Sequence, residues 1–199
     1  MLQPQAIPDY AGAESFIIAR LQKELPASLT YHGIHHTIDV MQAAMRIANF
    51  EKITEEEKKL MRVAIAFHDA GFLYTYLGHE EKGCQLAEEI LPAFGIDEKQ
   101  VAAICNMILS TKIPQSPQTL PEQIICDADL DYLGLENPVP VATALYEEIK
   151  NRGENISVQE WNDIQINFLQ SHRYHTNYAK LYRQQNKNAY LQQLIQQQI

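Results

Sequence analysis

Positive charge is scarce in this chain: 16 lysines and arginines stand against 25 aspartates and glutamates, for a net charge of −9. Broad contact with a nucleic-acid backbone needs a basic face, so that class of partner is excluded. A small anionic substrate is not, because a bound metal ion supplies positive charge locally. Cysteine is sparse as well. Cys84, Cys105 and Cys126 lie far apart and form no CxxC pair, which excludes a zinc ribbon or a disulfide framework and leaves reduced, partly buried thiols. No stretch of ~18 apolar residues occurs, so no membrane span is expected. No basic segment leads into an apolar run at the start of the chain, so no signal peptide is read. A cytoplasmic protein is the expectation. Strand-like alternation and internal repeats are also missing.

What is present is helical periodicity over an adequate core. Hydrophobic residues make up 46% of 199, which suits one domain. Phe16, Ile17 and Leu21 mark a helix over residues 12–24, and Val40, Ala43, Ala44 and Ile47 another over 35–49. Thr54 with Glu57 forms a capping box, opening a helix that breaks at Gly71. Further helices are expected over residues 79–93, after Asp97, over 122–134 and over 139–150. Ser157 with Glu160 makes a second box, starting a helix to about residue 170, and a last helix runs from Thr176 to the C-terminus. Pro114, Pro117 and Pro121 mark the one strong loop, over residues 113–121. It is not a domain boundary, because chemically distinctive residues flank it on both sides. The expected fold is all-α, one helical bundle over residues 1–199.

Four islands concentrate titratable groups. Residues 31–40 hold His32, His35 and His36; residues 67–71 hold the adjacent pair His68-Asp69 before Gly71. Residues 78–80 hold His79-Glu80, and residues 126–130 hold Asp127 and Asp129. Taken singly, each has a bland reading: a lone buried histidine is usually a hydrogen-bonded core residue, and paired aspartates are often a solvated helix start. Their joint pattern differs. Five of seven histidines fall between residues 32 and 79 beside apolar stretches, where desolvated imidazoles and carboxylates are costly unless paired or metal-bound. Imidazole nitrogens with carboxylate oxygens, and no thiolates, suit a divalent transition metal rather than a structural zinc site.

In that order and on helices, His36, His68-Asp69 and Asp129 resemble the HD-domain superfamily of metal-dependent phosphohydrolases, in particular its small stand-alone bacterial members. The likeness runs from about Tyr31 to Gly134, through YHGIHHTIDV, AIAFHDAGF, GHEEKG and DADLDYLG. It implies an HD-type catalytic core over about residues 30–135, with helices of 139–199 packing on it. It also implies His36, His68, Asp69 and Asp129 as ligands of a divalent ion (Mn, Mg, Fe, Ni, Co or Zn), with Asp127 as the competitor for the last place. Relatives with two metals carry two further histidines between the His-Asp pair and the final Asp; here only His79 lies there, so one ion is expected.

The implied reaction is phosphoester hydrolysis by metal-activated water. Asp69 is the candidate for activating that water, while His32, His79 and Glu80 are candidates for protonating the leaving oxygen, or for supporting the ligands. Lys112 is the expected phosphate-binding cation, with His35 as a second substrate-binding residue and Arg62, His172 and Arg173 behind them. The bland reading of Lys112 is a solvated lysine complementing a helix dipole. The expected partner is a small phosphorylated molecule, nucleotide-like, with no nucleic-acid duplex and no membrane; a homodimer stays open. Ala70-Gly71-Phe72 follows the His-Asp pair where nucleoside-monophosphate-cleaving relatives carry a glutamate, and the Gly-Tyr-Pro loop of cyclic-dinucleotide-cleaving relatives is absent. The substrate is therefore open. A metal-containing nucleotide sensor with little turnover is the alternative, and a metal-stabilised scaffold a third reading.

Overall fold

Asp9 opens the first helix of the computed structural model, which describes residues 7–197; its carboxylate accepts from the Gly12 N–H at 2.9 Å. Helix α1, Tyr10–Glu24, buries Ala13, Ile17 and Leu21. Helix α2 is Ile34–Glu51, and α3 is Glu55–His68. The Thr54–Glu57 box starts α3, with three glutamates in the first turn where the helix dipole favours anions. Then follow α4, His79–Ile90; α5, Glu98–Ser110; and α6, Leu120–Asp129. A Thr119–Glu122 capping box opens α6 inside the segment read from its prolines as loop. The C-terminal part holds α7, Val139–Asn151; α8, Val158–Ser171; α9, Asn177–Tyr182; and α10, Gln184–Gln196. No strand occurs among the described residues, and none of the helices is long and apolar enough to cross a membrane.

Helix α3 is the axis of the first layer. Every residue from Val63 to His68 is buried, so this helix has no solvent face over its second half. It is enclosed by α1, α2, α4, α5 and α6, and its end delivers His68 into the interior. A second, smaller core lies beyond Asp129, where Leu130, Leu133, Ala142, Trp161, Leu169 and Tyr190 pack together. All three cysteines are free and buried.

The helix expected over 79–93 ends at Ile90, with a 3₁₀ turn over Leu91–Phe94, and two further boundaries differ from the sequence reading for a long-range reason. The expected helix over 122–134 stops at Asp129, and Asp131–Gly134 forms a 3₁₀ turn. The last helix is interrupted at Arg183, where α9 ends and α10 begins. Both breaks serve one contact: the Arg183 guanidinium clasps the buried Asp131 carboxylate at 2.7 and 3.2 Å, and Arg46 of α2 adds a third bond at 3.1 Å. Gly134 permits the approach, since a Cβ there would lie 2.5 Å from Arg183 Cβ. The expected run of the last helix to the C-terminus includes residues 198–199, outside those described.

His172 is not available for phosphate. It is buried, and the buried Lys187 donates to its carbonyl at 2.7 Å and to Nδ1 at 3.2 Å. Burial and the Lys187 charge push its pKa down to about 3. An unfolded imidazole titrates near 6.5, so between those values the unfolded chain binds more protons. The stability carried by neutral His172 is therefore present above pH 6.5 and lost as the pH falls towards 3. The urea midpoint should drop more steeply over this window in the wild type than in His172→Asn; parallel curves would contradict the assignment.

Candidate metal centre

The ends of α2, α3 and α6 meet at one point. His36 Nε2 lies 3.0 Å from Asp129 Oδ1 and 3.6 Å from Asp69 Oδ2. His68 Nε2 lies 3.3 Å from Asp69 Oδ2 and 3.6 Å from Asp129 Oδ1. His36, His68 and Asp69 are buried and present donor atoms within 4.8 Å of one another. Adjacent helical side chains diverge by about 100°, yet His68 and Asp69 face the same space. Asp69 is the cap of α3, with φ −100° and ψ 4°, so the backbone leaves the helical path between the two.

Two observations suit this cluster to a cation. First, His68 Nε2 and Asp69 Oδ2 are buried atoms without a hydrogen-bond partner, an arrangement costly unless something else binds them. Second, His68 Nδ1 donates to the Ile65 carbonyl at 2.7 Å, which fixes the tautomer and leaves Nε2 bare as a ligand. The electrostatics agree. Burial alone would depress the His68 pKa, but the Asp69 and Asp129 carboxylates outweigh it and raise it to about 9. The pair of carboxylates therefore demands positive charge at this point.

Around the cluster stand the other histidines. His32 Nδ1 donates to Glu148 Oε1 at 2.5 Å, while Glu148 Oε2 accepts the backbone N–H groups of Tyr31 and His32 at 2.8 and 2.9 Å. Tyr76 OH donates to Glu148 Oε1 at 3.1 Å. Burial works to raise the Glu148 pKa, but the His32 ring and these N–H groups hold it below the usual carboxylate range. His79 Nδ1 donates to the Tyr76 carbonyl at 3.1 Å, placing Nε2 at 3.7 Å from Asp69 Oδ1 and 3.5 Å from Glu80 Oε1. The Phe72 ring stacks on both imidazoles, with centroids 4.4 Å from His32 and 4.0 Å from His79. Gly71 makes this possible: a Cβ there would sit 2.0 Å from the His79 carbonyl oxygen.

His32, Asp69, His79, Glu80 and Asp129 line one cavity of about 290 Å³. Two expected substrate-binding residues do not. Lys112 is half exposed and ion-paired with Glu81 outside the cavity, because its neighbours Thr111 and Ile113 take the inward places. His35 is exposed, one residue off the inward face that carries His36. Arg62 is paired with Glu14. Asp127 is fully buried but faces away, accepting from the N–H groups of His175 and Thr176 and from the Thr176 hydroxyl at 2.7 to 3.2 Å. Glu148 was missed in the sequence, although it sits three residues after the inward Leu145 and so carries a carboxylate on an apolar stripe.

These placements separate the two aspartates by experiment. Asp129→Asn is expected to lose bound metal. Asp127→Asn is expected to retain it while losing about 2 kcal/mol of stability, since an amide cannot satisfy three donors. Elemental analysis beside urea melts checks this, and metal loss in Asp127→Asn alone would reverse the assignment.

The HD-domain family model matches residues 33–131, a span that includes His36, His68, Asp69 and Asp129. A crystal structure of a predicted HD superfamily hydrolase from an uncultured Thermotogales bacterium is similar at 26% identity and a TM-score of 0.54, covering 75% of this chain and 88% of its own. A Lactobacillus plantarum protein of known structure shares the fold at 20% identity and a TM-score of 0.67, covering 94% of this chain and 96% of its own. No curated protein matches the chain. By that match and the shared fold, the chain is an HD-domain protein.

Proposed function

We propose that this protein hydrolyses a phosphoester of a small molecule with the help of one divalent metal ion held by His36, His68, Asp69 and Asp129. The observation that carries the reading is the pair of buried, unpartnered atoms, His68 Nε2 and Asp69 Oδ2, facing His36 and Asp129. A divalent ion bound there would lower the pKa of a water and offset charge on phosphate oxygens. The chain supplies the rest. Asp69 takes a proton from the attacking water, and His79 presents Nε2 to Asp69 Oδ1 as the next acceptor. His32 protonates the leaving oxygen: Glu148 accepts from its Nδ1–H and fixes the ring, which leaves Nε2 for the cavity it lines. Glu80 closes the polar end beside His79. The nucleotide-like organic part implied by the resemblance enters here as one class to be screened, and a sensor that binds without turnover is the reading such a screen separates.

The test is a screen of phosphomonoesters and nucleotides with Mn²⁺, Mg²⁺, Ni²⁺ and Co²⁺ supplied in turn, alongside metal stoichiometry. Hydrolysis should require metal, at one ion per chain, and His68→Ala should lose both metal and activity. Glu148→Gln should retain metal but lower kcat about 10²-fold, as expected for a disarmed general acid. Metal content in His68→Ala equal to wild type, or two tight ions per chain, would contradict this account.

A further inference from the structure

The cavity that begins at His32, Asp69 and Asp129 continues away from them between α7, α8 and α10. Its far wall is Leu133, Leu145, Ile149, Trp161, Ile164 and Phe168. No lysine or arginine lines it, and the cations that might have been expected nearby are engaged elsewhere. Lys112 pairs with Glu81, and the Arg152 guanidinium sits over the Tyr76 ring, 3.3 Å from its centroid. Some polar side chains of the lining are already engaged. Gln165 Oε1 accepts from Tyr190 OH at 2.6 Å, Gln165 Nε2 donates to Asn162 at 3.4 Å, and Thr111 bonds its own helix at the Ile108 carbonyl. At the rim, Ile164 and Ile113 are about half exposed and extend the apolar wall to the cavity mouth.

Resting on the proposed hydrolysis, we infer that the organic part of the substrate is an apolar alkyl or aryl group, and that a monoester of such a hydrophobic alcohol is the ligand this site takes. The division of the cavity carries the inference. Its polar end offers imidazoles and carboxylates, which suit a phosphate only with a cation between them. Its other end is walled mostly by aliphatic and aromatic side chains, and its few polar groups (the Tyr31, Tyr132 and Tyr190 hydroxyls, the Trp161 N–H and Gln165) are too sparse to pair all the hydroxyls of a ribose and the edges of a base, groups that are costly to bury unpaired. A second phosphate would also find no side-chain cation. The volume of about 290 Å³ falls at the small end of ligand pockets, roughly 300–1,000 Å³. Apolar cavities of this kind are poorly hydrated and accept apolar guests.

Trp161 lies in the far wall and is the one tryptophan of the sequence, so its fluorescence reports occupancy directly. The experiment titrates the Mn²⁺-supplemented protein with straight-chain alkylphosphonates from methyl to octyl, and with AMP and UMP. Phosphonates carry no ester to cleave, so binding is read independently of turnover. Affinity should rise about fourfold per methylene, the equivalent of ~0.8 kcal/mol, until the chamber is filled. AMP and UMP should bind no better than methylphosphonate. Ile164→Asn, a change at a half-exposed position whose folding is checked by melting, should flatten the series. The matching alkyl phosphates should follow the same order in kcat/KM. If the phosphonate series rises but no ester is cleaved with any metal, the hydrolase reading falls and the ligand class stands. A flat series, no phosphonate binding, or tighter binding of AMP or UMP overturns the inference, whether or not esters are cleaved.

Discussion

The arrangement depends on one electrostatic constraint: the carboxylates of Asp69 and Asp129 converge on Nε2 of His36 and His68 at the polar end of the cavity. Two carboxylates brought to one largely buried cluster repel, and the unpartnered Nε2 of His68 and Oδ2 of Asp69 add to the need for a cation. Only positive charge resolves this. A proton on His68 does so in part, which is why its pKa rises to about 9 despite burial. A divalent ion would do so more completely and satisfy the orphaned atoms as well. The surrounding helices exist in the positions they do because α3 must bring His68 and Asp69 to this point from inside a fully enclosed core.

Alternating aspartates divide the remaining labour. Asp127, Asp129 and Asp131 lie within five residues, yet only Asp129 enters the cluster. Asp127 receives the backbone at His175 and Thr176, and Asp131 receives Arg183 and Arg46. The two flanking carboxylates thus fasten the C-terminal helices to the core on either side of the site residue. That attachment brings α7 close enough for Glu148 to hold His32, and it encloses the apolar chamber. Site chemistry and the packing of residues 139–197 are therefore coupled: loosening Asp127 or Asp131 frees the wall against which a ligand would lie.

What was legible in the sequence was local. The boxes Thr54–Glu57 and Ser157–Glu160 are three-residue patterns whose partners lie within one turn, and both form. The convergence of His36, His68, Asp69 and Asp129 was legible only through the resemblance, since no helical spacing brings residues so far apart together. The unread features have distant causes. The break at Arg183 answers to Asp131, 52 residues earlier, and Glu148 acts on His32 across 116. Lys112 was assigned to phosphate because it ends a helix beside a proline loop, but Glu81 on the neighbouring helix neutralises it. The Thr119–Glu122 box was readable in principle and was masked by the prolines around it.

The most direct test of the central claim is anomalous diffraction from crystals soaked in Mn²⁺. The account predicts one strong peak enclosed by His36 Nε2, His68 Nε2 and the carboxylates of Asp69 and Asp129, with His68 Nδ1 still bonded to the Ile65 carbonyl. An empty cluster at saturating Mn²⁺, or a peak that excludes His68 and Asp69, would contradict it.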